Sequence, residues 1–217
     1  MMLNDDFFNK DACSVARQLL GKVIRHQYLD HWLCAQITET ESYYLDDRAS
    51  HASLGFTEKR KALFMPAGTI YMYYARGMDS FNISTRGEGN AVLIKSARYF
   101  HDELCDRNDL KIMQQLNPLP SGKPRPQARL CSGQALLCRS LNLKVKDWDQ
   151  HTFHSDKLYI DDVSYQPEEI IQTRRLGIPA GRNEELLQRY IDRKYAKYCT
   201  RNPLTARKHN HYQIIHS

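Results

Sequence analysis

One stretch of the chain gathers residues that could carry out hydrolysis on a flat, ring-shaped substrate. Glu41 ends an apolar, strand-like run, and Tyr43 follows two positions later. Because side chains alternate along a strand, these two are predicted to share a face. A carboxylate held in this way can deprotonate a water molecule and stabilise positive charge that develops on the substrate. His51, Tyr73 and Asn82 follow within the same stretch and could stack on a ring and contact its edge.

The residue pattern by itself leaves two interpretations of this carboxylate open. Period-two alternation puts Glu41 on the same face as Leu33, Ala35 and Ile37. It is then either a strand-end residue that turns to solvent, as most unpaired Asp and Glu do, or a functional group held in a dry pocket. The aromatic positions are equally open, because tyrosine is common in ordinary β-strands. A lone histidine is more often a surface or core residue than a site residue.

Five motifs occur in a characteristic order along the chain: ETESYY, SHAS, MPAGTIYMY, RGMDSFNIS and LCSGQALLC. In these motifs, and across roughly residues 12–205, the chain resembles the alkyladenine (3-methyladenine) DNA glycosylase family. The resemblance implies an enzyme that flips a damaged purine out of duplex DNA and hydrolyses its N-glycosidic bond, the first step of base excision repair. The expected substrates are alkylated or deaminated purines: 3-methyladenine, with 7-methylguanine, hypoxanthine and ethenoadenine as further candidates.

The resemblance also implies a role for individual residues. Glu41 takes the position of the carboxylate that activates water, whereas Glu39 is expected to be structural. The flipped base would be enclosed by Tyr43, His51 and Tyr73. Asn82 corresponds to an asparagine that disfavours the 2-amino group of guanine.

Further motif positions imply contacts with the DNA backbone and the base stack. Ser132 and Gly133 match a helix start that approaches DNA, where backbone N–H groups can hold a phosphate. Arg76 stands where the family usually has a tyrosine or apolar wedge that fills the gap left by the flipped nucleotide, and Met78 is the alternative wedge. Arginine can stack through its planar guanidinium and attract phosphate.

Other departures from the family pattern bear on substrate range and rate. Lys95 stands where an arginine that helps hold the catalytic water is expected, so a positive charge is kept while the bidentate fork is lost. A glutamine follows Ser132 and Gly133 where the family commonly has proline. The segment from Gly77 to Asn82 is one residue short.

Three functions are compatible with these residues. The leading one is a monofunctional glycosylase that needs no metal or cofactor. A bifunctional glycosylase/lyase would use a lysine amine to attack C1′, and Lys95 is the candidate. A damage-binding protein with weak or no turnover would lack the carboxylate, which is present here as Glu41.

The charge distribution predicts a polyanionic partner, double-stranded DNA. The chain has 217 residues and a net charge of +6. Residues 174–217 contain ten Lys or Arg against three acidic residues, a net charge of +7, so the rest is nearly neutral. Arg174, Arg175 and Arg201 of this basic segment are the predicted DNA contacts. A solvated helix face is the ordinary alternative for such a run.

Composition and the first residues limit the class of protein. The N-terminal run MMLNDDFFNK carries two acids and no apolar stretch, so neither a secretory signal nor a membrane span is expected, and a cytoplasmic, nucleoid-associated, monomeric protein is predicted. The six cysteines form no CxxC pair and predict reduced thiols without a metal site.

The pattern predicts one mixed α/β (α+β) domain over residues 1–217, a curled and mostly antiparallel sheet surrounded by helices. Asp11 is predicted to cap a helix that stops at Gly21. Residues 117–127 hold four prolines and predict a surface loop. Strands are predicted at 23–28, 32–41, 70–74, 80–84 and 91–97, and helices at 102–116, at 132–141 with Ser132 as N-cap, at 166–173 and at 184–195.

Overall fold

The computed structural model describes residues 1–206 and 211–216. Nine strands and five α-helices occur in this part of the chain, joined by four short 3₁₀-helices at Ala52–Leu54, Glu58–Phe64, Gln127–Arg129 and Arg193–Tyr198. The helices are α1 (Asp5–Phe8), α2 (Ala12–Gln18), α3 (Arg107–Leu116), α4 (Gln134–Ser140) and α5 (Val145–Trp148). The strands are β1 (Val23–Tyr28), β2 (His31–Tyr43), β3 (Ile70–Ala75), β4 (Met78–Ser84), β5 (Ala91–Tyr99), β6 (Leu158–Asp161), β7 (Glu169–Thr173), β8 (Arg189–Asp192) and β9 (Tyr212–His216).

All of these strands belong to one antiparallel sheet. Its main path runs β3-β4-β5-β2-β8-β7-β9, and β1 pairs with both β2 and β6. The predicted α+β class, with an antiparallel sheet and flanking helices, is confirmed. The five predicted strands are present, and β2 extends two residues beyond Glu41 to include Tyr43. Residues 117–126 are a loop, as predicted, and a 3₁₀-helix begins at Gln127.

The two predicted helices near the C-terminus are wrong. Residues 166–173 contain β7, and residues 184–195 contain β8 and the start of a 3₁₀-helix. β7 and β8 pair with each other and add to the edge of β2, so the tertiary partner decided their conformation. β9, which pairs with β7, was not predicted at all.

Capping residues set the start of the helices. The Asp11 side chain accepts a hydrogen bond from Ser14 N and caps α2, as predicted. Asp106 caps α3 in a capping box with Asp109. The helix begins at Arg107, five residues later than predicted. Gly133, rather than Ser132, is the N-cap of α4. The Ser132 hydroxyl instead donates to the carbonyl of Tyr198.

The main hydrophobic core lies between one face of the sheet and the helices. It includes Leu33 and Ile37 of β2, Phe81 and Ile83 of β4, and Ile94 of β5. The six cysteines are unpaired thiols, as predicted, and all but Cys13 are buried.

A paired irregularity in β2 and β5 reverses which residues face this core. The register of the two strands shifts on both sides of Glu39, which pairs with Ser96. Before the shift, Ile37 faces the main core. After the shift, Thr40 faces that same side, because its hydroxyl donates to Ala16 O of α2. Glu41 therefore lies on the face opposite Leu33, Ala35 and Ile37. The period-two assignment of Glu41 to the apolar face is wrong, because a β-bulge changes the phase of the alternation.

Candidate active site

A cleft of about 840 Å³ opens on the face of the sheet opposite the main core. β2, β3, β4 and β5 form its floor, and the residues before α4 and the segment 176–182 form its walls. The cleft brings together eight residues that the sequence singled out, namely Tyr43, His51, Tyr73, Arg76, Asn82, Lys95, Ser132 and Gly133.

Glu41 lies fully buried at the base of this cleft and contacts three polar groups. The Tyr43 hydroxyl donates to Oε2 over 2.7 Å, and Leu176 N donates to Oε1 over 3.4 Å. Lys95 Nζ lies 3.5 Å from Oε1, and its side chain is 14% exposed. These contacts compensate for burial of the carboxylate. The side chains of Tyr43 and Lys95 line the cleft, whereas Glu41 contacts both of them from behind and is not itself part of the cleft lining.

Tyr43 is held by a cation on its ring and by the carboxylate at its hydroxyl. The guanidinium of Arg175 lies 4.6 Å from the ring centroid, which is cation–π geometry. Burial, reinforced by the negative charge of Glu41 and the bond to it, raises the pKa of the Tyr43 hydroxyl well above its ordinary value. The hydroxyl therefore stays protonated and remains a donor to Glu41.

Three aromatic rings form a cluster along β3 beside the cleft. The rings of His51 and Tyr73 meet edge to face with centroids 4.3 Å apart, and those of Tyr71 and Tyr73 are stacked 5.5 Å apart. His51 Nδ1 lies 2.9 Å from the Tyr71 hydroxyl. Burial lowers the pKa of His51, and the positive charges of Arg60 and Arg182 lower it further, so the imidazole is neutral.

Asn82 and Gln134 bring amide groups to the cleft. Asn82 Nδ2 donates to the Tyr71 carbonyl over 3.1 Å, which fixes the orientation of the Asn82 amide. Gln134, at the start of α4, has its Oε1 buried without a hydrogen-bond partner among the described residues. The Gln134 side chain also approaches the Tyr73 hydroxyl. Both amides can thus present polar atoms to a ligand edge.

Arg76 lies at the tip of the hairpin that joins β3 and β4. Ala75 pairs with Met78, so Arg76 and Gly77 are the two loop residues, with φ of 52° and 77°. Two consecutive positive φ values are the signature of a type I′ turn. Arg76 projects at the cleft mouth, whereas Met78 is partly buried and its sulfur contacts the guanidinium of Arg139 at 3.7 Å.

The basic segment does not present all of its cations to solvent. Arg174 and Arg201 are exposed, whereas Arg175 is buried, forms an ion pair with Asp47 and donates to Ser42 O over 3.1 Å. Its burial is at odds with the predicted phosphate contact, because the guanidinium is engaged inside the protein. Arg207 and Lys208, which contribute to the charge of +7, lie outside the described residues.

Sequence reasoning missed the segment 176–182 as a wall of the cleft. Leu176 contacts Glu41 through its backbone, and Arg182 lines the mouth near His51. No residue type in the run LGIPAGR signals a site. Gln134 was noted as a departure from the family pattern, but its place in the cleft was not inferred.

Two negative results concern the described part of the chain. Across residues 1–206 and 211–216, no three His, Cys, Asp or Glu side chains are grouped so that they could hold a metal ion. None of the helices in these ranges is long and apolar enough to cross a membrane.

Comparison with known proteins identifies the family of this chain. Residues 6–196 match the model of the family described as methylpurine-DNA glycosylase. A protein of Pseudomonas syringae pv. syringae (strain B728a) is 59% identical over 202 residues, which cover 93% of this chain and 91% of that protein. A Pseudomonas aeruginosa (strain LESB58) protein is 56% identical over 93% of this chain and 84% of its own length. A more distant protein of Clostridium botulinum is 33% identical over 88% of this chain and 95% of its own length. All three are named "Putative 3-methyladenine DNA glycosylase".

The family match and the relatives identify a DNA glycosylase of base excision repair. The chain belongs to the methylpurine-DNA glycosylase family.

Proposed function

We propose that this protein flips alkylated or deaminated purines out of duplex DNA and hydrolyses their N-glycosidic bond. The foremost candidate substrate is 3-methyladenine, and 7-methylguanine, hypoxanthine and ethenoadenine are further candidates. The observation that carries the proposal is the fully buried Glu41 at the base of a cleft with aromatic walls. This pairing supports a general base acting next to a slot for a flat ring.

Glu41 would take a proton from the attacking water and stabilise the positive charge that develops at C1′ as the base departs. Lys95, 3.5 Å from Glu41 Oε1, would orient that carboxylate and the water beside it. The Tyr43 hydroxyl keeps the other oxygen, Oε2, fixed at 2.7 Å. The general base thereby enters the reaction already oriented, which lowers the cost of reaching the transition state.

The flipped base would stack against Tyr43, His51 and Tyr73. Base–aromatic stacking contributes about 1–3 kcal/mol per base. A positively charged alkylpurine gains a further cation–π attraction, and the neutral His51 adds no repelling charge. Asn82, held by its bond to the Tyr71 carbonyl, would reject a 2-amino group by its bulk at that edge of the ring.

The duplex around the lesion would contact the rim of the cleft. Arg76 at the hairpin tip would fill the gap in the base stack. The turn at Ser132 and Gly133 would approach the duplex, although Gly133 N already donates to Ser96 Oγ. The exposed guanidinium groups of Arg174 and Arg201 would meet phosphates.

A second candidate activity is strand cleavage by a lyase step. Lys95 lies next to the carboxylate, so its amine could condense with the C1′ aldehyde of the abasic product and release water. The ion pair with Glu41 opposes this step, because a protonated amine is not a nucleophile. We therefore propose the monofunctional reaction.

The test uses a panel of duplexes that each contain one lesion, scored for release of free base under single turnover. Release of 3-methyladenine without strand cleavage is expected. Borohydride added during the reaction should trap no protein–DNA adduct, whereas a trapped adduct that disappears in Lys95→Ala would establish the lyase. Tight lesion binding with no base released from any duplex would show a damage-binding protein.

A further inference from the structure

Glu39, the other carboxylate of the ETE motif, is fully buried at the centre of a hydrogen-bond network. Its Oε1 accepts from Arg189 Nε and from Thr200 Oγ1, each over 2.6 Å. Its Oε2 accepts from Ser96 Oγ over 2.6 Å and from Thr200 N over 3.0 Å. Burial raises the pKa of Glu39, but the charge of Arg189 and the bonds from Ser96 and Thr200 outweigh it and the net pKa is lowered. Glu39 is therefore ionised, and each of its two carboxylate oxygens accepts two hydrogen bonds.

Glu39 lies at the paired bulge of β2 and β5, which changes the face of the sheet on which Glu41 lies. Thr38 and Glu39, although adjacent, both point away from the main core: Thr38 contacts the Cys199 thiol, and Glu39 contacts Arg189. The partner strand repeats the pattern, since Lys95 reaches Glu41 and the next residue, Ser96, reaches Glu39. Each strand thus places two consecutive side chains on one face, as a bulge does.

The same network reaches the walls of the cleft where DNA is proposed to bind. Ser96 Oγ also accepts from Gly133 N over 3.1 Å, which ties β5 to the start of α4. Arg189 Nη2 donates to Arg201 O over 2.9 Å, and Thr200 lines the cleft. Glu39 therefore connects the bulge next to Glu41 with the backbone at Gly133 and at Arg201.

We propose that Glu39 is a positioning residue for the glycosylase reaction. Through Ser96, Thr200 and Arg189 it locks the paired bulge that aims Glu41 and Lys95 into the cleft, and it fixes the two backbone segments that meet the DNA. This inference rests on the proposed function. It assigns to the first carboxylate of the motif a part in catalytic geometry without contact to the substrate.

The experiment compares Glu39→Gln, Ser96→Ala and a control variant in single-turnover base release. Glu39→Gln places an amide among four donors. Ser96→Ala removes one hydrogen bond to Glu39 together with the link to Gly133 and leaves Arg189 and Thr200 in place, so it serves if the first variant does not fold. The control is Asp161→Asn, which removes one partner of the buried Arg25 at the far edge of the sheet and leaves Asp102 in place. Rates are normalised to the fraction of protein that binds a duplex with a non-hydrolysable lesion analogue.

Misplacement of catalytic groups by about 1 Å can lower the reaction rate about 10²-fold. Glu39→Gln is therefore expected to lose about 10²-fold in rate and Ser96→Ala less than this. The rate of Asp161→Asn should be unchanged. A double-mutant cycle separates positioning from general destabilisation. In a Lys95→Ala background the Glu39→Gln effect should shrink, because both act on the orientation of Glu41.

The inference would be overturned if Glu39→Gln and Ser96→Ala released base at the same rate per binding-competent molecule as the control. It would also be overturned if the effects of Glu39→Gln and Lys95→Ala on the rate were additive. A wild-type protein that releases no base from any lesion would instead refute the proposed function. The two failures are thus distinguishable.

Discussion

Lys95 Nζ lies 3.5 Å from Glu41 Oε1, and this ion pair joins two neighbouring strands at the base of the cleft. Leu93, two residues before Lys95, pairs with Glu41 across the strands. The lysine provides one point charge, where an arginine would provide a planar fork of donors. The carboxylate is thus oriented by one flexible cationic side chain, by the hydroxyl of Tyr43 and by the backbone N–H of Leu176.

Two substitutions of Lys95 should therefore show whether the reaction rate depends on its positive charge or on its particular shape. Lys95→Ala is expected to lower the single-turnover rate by up to about 10²-fold, because Glu41 loses the cation that orients it. Lys95→Arg should retain most of the rate or raise it. The measurement is base release from a duplex with one lesion, and equal rates for Lys95→Ala and wild type would show that Lys95 has no part in catalysis.

Arg174 and Arg175 are adjacent, but substitution of Arg175 should lower the free energy of unfolding much more than substitution of Arg174. Arg175→Met leaves Asp47 as a buried, unpaired charge and should lower the free energy of unfolding by about 3–5 kcal/mol. Arg174→Met, at an exposed position, should change it by about 0.5 kcal/mol or less. Denaturant unfolding measures both.

Arg174 and Arg201 should instead affect the salt dependence of DNA binding. Each phosphate contact that is lost should reduce the log–log slope by about 0.9. An unchanged slope in Arg174→Gln/Arg201→Gln would place these two side chains away from the DNA.

The hairpin tip permits removal of the proposed wedge without loss of the turn. Arg76→Asn keeps a residue that tolerates positive φ, so the type I′ turn is expected to survive. Base flipping should be slower, reported by smaller fluorescence changes of a 2-aminopurine placed beside the lesion. Flipping amplitude and base release equal to wild type would identify Arg76 as a surface residue.

Two histidines should make the protein less stable in mild acid. Burial lowers the pKa of His26 and of His51 below the ordinary value of 6.5. The unfolded chain then binds more protons than the native state below that value, so the free energy of unfolding should be level above about pH 6.5 and fall as the pH decreases. Urea unfolding between pH 7.5 and about pH 5.5 tests the sign, and His26→Gln should reduce the decline. Stability that rises on acidification would contradict the assignment of both as neutral imidazoles.

The motif residues of the candidate site could be placed from the sequence because they lie at fixed positions in ordered motifs. Tyr43, His51, Tyr73, Asn82 and Lys95 all line one cleft. The orientation of Glu41 could not be derived by alternation, since the paired bulge at Glu39 depends on partners as remote as Arg189 and Thr200.

The C-terminal part of the fold was beyond sequence reasoning for a similar physical cause. Residues 184–195 have helix-compatible charge spacing, yet Tyr190 and Ile191 pair with both β2 and β7. The long-range pairing outweighs local propensity. Arg175 was assigned to the surface from composition, and only its contact with Asp47 reveals that it is internal.

The most direct test of the account is the single-turnover rate of Glu41→Gln on a duplex that contains 3-methyladenine or a stable analogue released at a measurable rate. This substitution keeps the shape of the side chain and removes the base that activates water. Glu41→Gln should lose about 10²–10⁴-fold in base release and retain lesion binding. A rate close to wild type in a variant that binds the lesion normally would contradict the central claim that Glu41 is the catalytic carboxylate.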